Sequence, residues 1–285
     1  MTPLGFALVL AAALCHATWN FFVKRINGGP ELIWLFSVLS VALYLPLAVA
    51  IWVRSAAFDL TQLSFIAGST GLHLGYFLVL QAGYRTGDLS LVYPTARATG
   101  PLLSSGLAVA VLGEAISWQI AAGAVVIVFG VFMLTGGVRR SAGNATVSLA
   151  FGIGAGTLIG SYTAWDAYAV SALAVPPLLM DYASSAGRSI VLAPVAFRRR
   201  ADVLRHWREH RGGVLAIAVF NPLAYILVLV ALTFTPVVFV APIREISVLV
   251  TVLMGSLLLG EGNLRHRLGW SAVILAGVVL LASSA

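Results

Sequence analysis

Two arginines lie inside runs that otherwise read as apolar helix. Arg97 sits in "YPTARATGP", residues 93–101, and Arg244 in "VAPIREISV", residues 240–248. An arginine in hydrocarbon costs about 3 kcal/mol or more, so each needs a polar partner or a water-filled cavity. The planar donor fork of a guanidinium suits it to holding an anionic group, phosphate-like or carboxylate. The alternative is structural, with each arginine paired to a carboxylate such as Glu245, Asp166 or Asp181. Pro94, Pro101 and Pro242 flank the two arginines and each removes a backbone donor. Irregular backbone within a membrane survives only against protein or water. These stretches are therefore expected to face a cavity.

Further polar side chains recur in apolar runs. Asp166 and Asn20 each follow a tryptophan, and Asp166 is open to three roles: pairing an arginine, meeting a substrate amine or carrying a coupling proton. His16 lies one helical turn before Asn20 and shares its face. His73 and Tyr76, at i and i+3, form a polar stripe, as do Asn221 and Tyr225 at i and i+4. Asp181 and Arg188 are seven residues apart with Ser184 and Ser185 between them, too far apart to pair within one straight helix. Glu114 and Glu261 each follow a glycine at a turn, where a carboxylate complements a helix start. The chain has no GxxxxGK[ST] loop, no HExxH and no other metal-ligand spacing, so neither a cofactor nor a metal is expected. Gly152, Gly154 and Gly156 lie in an apolar run and read as helix packing.

The elements that must position these groups follow from composition. Of 285 residues, 60% are hydrophobic and only 9% charged, with a mean hydropathy of +0.99. Soluble domains are about 25% charged, so this is an integral membrane protein. Apolar blocks of about 20 residues predict helices, since membrane strands would alternate over about ten. Ten spans are expected, near 4–24, 31–53, 62–84, 88–112, 117–137, 147–169, 175–197, 213–233, 236–259 and 266–283. The longest polar connector is 198–213, which leaves no room for a large domain outside the membrane. Small residues in the fifth and tenth spans, including Gly123, Gly130, Gly269 and Gly277, permit close packing.

Charge orients the bundle. Connectors after odd-numbered spans carry 13 of the 17 basic residues, those after even-numbered spans carry only Arg54, and Arg97, Arg188 and Arg244 fall within spans. The positive-inside rule then places the odd connectors in the cytoplasm and both termini outside. The net charge of +7 is read as this topological charge and not as a nucleic-acid surface. The single cysteine, Cys15, excludes an internal disulfide. The N-terminal apolar run lacks a basic leader region and cleavage site and is read as the first span.

The chain repeats itself. "LSLVYPTARATGPLLSSGLAVAVLGE" matches "PVVFVAPIREISVLVTVLMGSLLLGE", pairing Arg97 with Arg244 (244 − 97 = 147) and Glu114 with Glu261 (261 − 114 = 147). Gly130 and Gly277 share that offset, Trp19-Asn20 pairs with Trp165-Asp166 at 146, and Pro46 with Pro194 at 148. Two five-span units, 1–140 and 141–285, therefore enter the membrane in opposite orientations. Such inverted repeats characterise secondary transporters, with the site near the midplane between the halves.

Five-plus-five spans, "WN" and "WD" in the first span of each half and "P…LGE" after the fourth resemble the EamA family of the drug/metabolite transporter superfamily. The resemblance covers nearly the whole chain and implies a cavity lined by the first, third and fourth spans of each half, with the fifth as scaffold. Some members of that family place both termini in the cytoplasm, opposite to the charge count. The expected function is secondary transport of a small polar solute, anionic or zwitterionic, by alternating access across a bacterial inner membrane. The alternative is a membrane-embedded enzyme acting on a lipid or head group. Expected partners are the small-molecule substrate, the lipid bilayer and a coupling proton or exchanged solute. Expected site residues are Arg97, Arg244, Glu245, Asp166, Asn20, His16, His73, Tyr76, Tyr225 and Asn221, with Glu114, Glu261, Pro94 and Pro242 at turns and breaks.

Overall fold

A computed structural model of the chain describes residues 1–55, 57–86, 89–134, 145–259 and 264–282, and all its elements are helices. The first five are α1 (Pro3–Ile26), α2 (Pro30–Arg54), α3 (Leu60–Thr86), α4 (Leu89–Leu112) and α5 (Trp118–Leu134). The second group comprises α6 (Ala145–Ser171), α7 (Pro177–Arg198), α8 (Arg200–Leu232), α9 (Val237–Arg244), α10 (Ile246–Leu259) and α11 (Leu264–Ala282). Five of them contain segments long and apolar enough to cross a membrane: Pro3–Val23, Pro30–Arg54, Leu60–Leu80, Thr146–Ser171 and Arg200–Leu232. α9 and α10 together make one crossing, so the chain has ten spans.

Local chemistry sets the helix ends. Thr2 caps α1 by accepting from the Gly5 amide at 3.1 Å, with Pro3 in the first turn. Asn27 ends α1 in the left-handed region at φ 52°. Pro30 and Pro177 open α2 and α7, where a missing amide costs nothing.

Most of the packing between helices joins one half to the other. α1 packs on α8 and α3 on α6; α4 packs on α6 and α9–α10 on α1; α2 packs on α7 and α5 on α11. Exchanging each span with its repeat mate maps every one of these contacts onto another or onto itself. That is the symmetry expected of two similar halves of opposite orientation.

Glycine permits the tightest approaches. A Cβ at Gly156 of α6 would lie 2.5 Å from the Thr99 Cβ of α4, and one at Gly160 would lie 2.7 Å from the Leu103 Cβ. Gly152, Gly156 and Gly160 thus form an i, i+4, i+8 seam that lets α4 approach α6 closely at Thr95, Thr99 and Leu103. Between the scaffold helices, a Cβ at Gly277 would lie 2.9 Å from the Ile127 amide nitrogen and one at Gly130 2.7 Å from Ile274. Gly269 differs from the expectation, because open space surrounds it and no neighbour requires its small size.

Three features depart from the sequence reading. The 198–213 segment is not an open connector. It forms the start of α8, with a kink at His210 (φ −131°, ψ 32°). Val203, His206 and Trp207, at helical spacing, turn inward onto Ile26, Leu32 and Leu35, while Arg205, Arg208 and Arg211 stay exposed. Second, α4 runs unbroken past Pro94 and Pro101, whereas its mate breaks after Pro242 at Glu245. There the Glu245 amide bonds the Pro242 carbonyl at 3.0 Å and the Val248 amide bonds the Glu245 carbonyl at 2.9 Å. These tight turns replace regular helical bonds beside a proline that lacks an amide.

The third is Glu114. It caps a helix, but that helix belongs to the other half: its carboxylate accepts from the Val237 and Val238 amides at 2.8 and 3.0 Å. The residue at the N-cap of α9 is Pro236, which offers no side-chain acceptor of its own. Its mate Glu261, and the side chain of Pro94, lie outside the described residues.

Candidate functional site

α9 is buried over its whole length, which places Arg244, at 4% exposure, in the centre of the bundle. It lines a cavity of about 120 Å³ together with His16 and Trp19 of α1, His73 and Tyr76 of α3, and Arg97 of α4. The remaining wall comes from Tyr162 of α6, Asp181, Ser184 and Arg188 of α7, and Asn221 and Tyr225 of α8. First, third and fourth spans of both halves contribute, and α7 adds a wall that the resemblance did not include.

The polar contacts fall into four groups. Arg97 Nη1 lies 3.7 Å from Glu245 Oε1, and Glu245 is fully buried with neither carboxylate oxygen hydrogen-bonded. His73 Nε2 lies 3.1 Å from Asp166 Oδ2, and the Tyr225 hydroxyl donates to the same oxygen at 2.5 Å. Arg188 donates to Ser185 at 3.0 Å and to the Asn221 carbonyl oxygen at 3.4 Å, which gives it the partner that Asp181 cannot be. Trp19 Nε1 donates to His16 Nδ1 at 3.0 Å, orienting that imidazole at the cavity wall.

Nine of the ten expected site residues thus line the cavity or, like Asp166 and Glu245, pair with a residue that does. Counted in full, the wall includes His16, His73, Tyr76, Arg97, Asn221, Tyr225 and Arg244, with Asp166 and Glu245 directly behind. Asn20 is the exception: its amide donates to the His16 carbonyl at 2.7 Å, within its own helix. Tyr162, absent from the sequence reading, stacks on His73 with ring centroids 3.9 Å apart. The signal for it was present, since the first-span offset maps His16 onto Tyr162 (162 − 16 = 146).

Charge in this region balances. Arg97, Arg188 and Arg244 face Asp166, Asp181 and Glu245, all within or directly behind the wall. A larger groove of about 1000 Å³ between α3, α4 and α6 is lined by residues such as Phe65, Leu107, Val111 and Trp165, without a charged side chain. It offers no charged group to hold an ionic solute, so the smaller cavity is the candidate site.

The profile of the EamA-like transporter family matches residues 3–136 and 146–283, one copy on each half. The chain belongs to the EamA-like transporter family. EamA proteins form part of the drug/metabolite transporter superfamily, and the double match agrees with the symmetric packing of α1–α5 against α6–α11. A solved crystal structure shares the EamA-type fold seen here, with a TM-score of 0.75 over 99% of this chain and 97% of the other at 14% identity. At that identity the likeness concerns fold alone. No curated protein matches the chain.

Proposed function

We propose that this EamA protein is a secondary transporter that carries a small polar solute, anionic or zwitterionic, by alternating access. The observation that carries the reading is the convergence of Arg97 and Arg244, repeat mates from opposite halves, on one cavity between the halves. The guanidinium groups hold the solute's anionic group, and Asp181 or Glu245 meets a positive group where the solute has one. Charged side chains within membrane spans are rare and mark substrate pathways, facing a water-filled cavity or pairing with one another.

The halves are clasped at both ends. On the side of the odd connectors, Glu31 of α2 pairs with Arg199 at 3.1 Å and lies 3.6 Å from His206 Nε2. On the opposite side, Glu114 holds the start of α9, and the Gln62 amide donates to the Leu173 carbonyl at 2.9 Å. Alternating access requires each clasp to open while the other holds. The exposed arginines at the start of α8 support an odd-connector side in the cytoplasm of a bacterial cell, with both termini outside.

The test is a screen of purified, reconstituted protein with inorganic phosphate, sugar phosphates, small carboxylates and α-amino acids, read by thermal shift and then by counterflow. A solute that stabilises the protein should also be exchanged. Arg97→Ala and Arg244→Ala should each weaken its binding by about 10- to 100-fold, the worth of a charge-assisted hydrogen bond. Wild-type affinity in both variants would refute the assignment, and covalent product formation in detergent would favour an enzyme.

A further inference from the structure

We propose that His73 and Asp166, completed by Tyr225, form a proton-binding site, and that its proton is loaded together with a solute of single negative charge. Asp166 is fully buried. Its Oδ2 receives the His73 and Tyr225 contacts, while Oδ1 has no hydrogen-bond partner. Among the described residues the only group within ion-pair distance of this carboxylate is His73. A buried carboxylate held by neutral donors alone costs several kcal/mol, and the usual relief is a proton or a cation. One proton shared by the pair supplies it, as an imidazolium beside a carboxylate or as a protonated carboxyl beside a neutral imidazole.

The placement suits coupling. The His73 side chain is 17% exposed and reaches the cavity wall, whereas Asp166 lies behind it at 0%. His73 is therefore the entry point for the proton. It comes from the first half and its partners from the second, so any motion that parts α3 from α6 breaks the pair and releases the proton.

Other charged and titratable groups face the site from every neighbouring helix. Tyr76 of α3, Tyr162 of α6 and His16 of α1 share the wall, and none carries a formal charge when His16 is neutral. Asp181 and Arg188 of α7, Arg97 of α4 and Arg244 of α9 do, as does Glu245 behind Arg97. With Asp166 ionised, three arginines balance three carboxylates. Adding the proton gives +1, which a monoanion returns to zero. Closing the cavity over a neutral set avoids the cost of burying net charge, so proton and monoanion enter the closed state together.

The proton site is tested without any solute, while the coupling rests on the transport reading above. Full-length protein in detergent is titrated with protons alone and followed by infrared difference spectroscopy. The expected spectrum holds a titrating carboxyl or imidazolium band that is lost in Asp166→Asn and in His73→Gln, and shifted in Tyr225→Phe. The latter two variants keep the carboxylate, so the test survives if Asp166→Asn fails to fold. A titrating spectrum that none of the three changes overturns the site. In proteoliposomes, a panel solute that exchanges should accumulate when the entry side is acidified, and His73→Gln should lose that accumulation. Accumulation blind to the pH gradient overturns the coupling. Absence of exchange by wild type counts against the transport reading and leaves the infrared result standing.

Discussion

Arg97→Ala is expected to destabilise the protein by about 3–5 kcal/mol, as removal of one partner of a buried pair does. The cause is Glu245, fully buried with neither oxygen hydrogen-bonded, for which Arg97 at 3.7 Å is the ion-pair partner. Taking the cation away leaves a charge that must stay buried, draw in water or take up a proton. The double variant Arg97→Ala/Glu245→Gln removes both charges and should recover most of the lost stability, because a neutral amide costs far less to bury than a carboxylate. It should not recover solute binding, since the donor fork is still absent. Thermal denaturation in detergent and equilibrium binding, measured on both variants, separate the two roles. Recovery of binding along with stability would show that Arg97 acts only through the fold.

Glu114→Ala is expected to cost about 2–4 kcal/mol and to loosen one end of the cavity. Each amide-to-carboxylate bond contributes about 1.5–3 kcal/mol, and Glu114 makes two, to the first amides of α9. Water at this end of the bundle recovers part of that. Since α9 carries Arg244 at its far end, fraying its start lets the cavity wall drift. Glu114→Gln keeps one acceptor and should lie between wild type and Glu114→Ala in melting temperature. Its clasp lies on the side of the even connectors, so both variants should favour opening toward that side. Accessibility of an introduced cavity thiol to an impermeant reagent, applied from that side, should rise in the order wild type, Glu114→Gln, Glu114→Ala. An unchanged order would mean that Glu114 holds a turn and no gate.

Much of this arrangement was legible in the sequence because membranes impose simple rules. The span limits followed from apolar length, and the repeat from matching offsets that no local packing disturbs. What escaped depended on tertiary contact. The start of α8 reads as polar connector because Arg200, Arg205, Arg208, Glu209 and Arg211 on its exposed face are charged, and only Val203, His206 and Trp207 reveal an inner face. The break at Glu245 occurs in one half although prolines occur in both, since neighbours decide whether a helix tolerates the ring. Glu114 sits in a turn where capping its own helix is the local expectation, and its partner lies 123 residues away. Asn20 has a mate that matters, Asp166, yet its own side chain bonds within α1. A repeat transmits position more faithfully than role.

The central claim is that the cavity opens to each side of the membrane in turn. Ser184 is the position to probe: it lines the cavity, is 4% exposed, and its hydroxyl has no hydrogen-bond partner to lose on conversion to a thiol. Cys15 is the only native cysteine, so Ser184→Cys with Cys15→Ser leaves a single reporter. Membrane-impermeant thiol reagent is applied to oriented vesicles from one side and, separately, from the other. Alternating access predicts labelling from both sides, each slowed by a solute that stabilises the protein. Labelling from one side alone, whatever the solute, would contradict it.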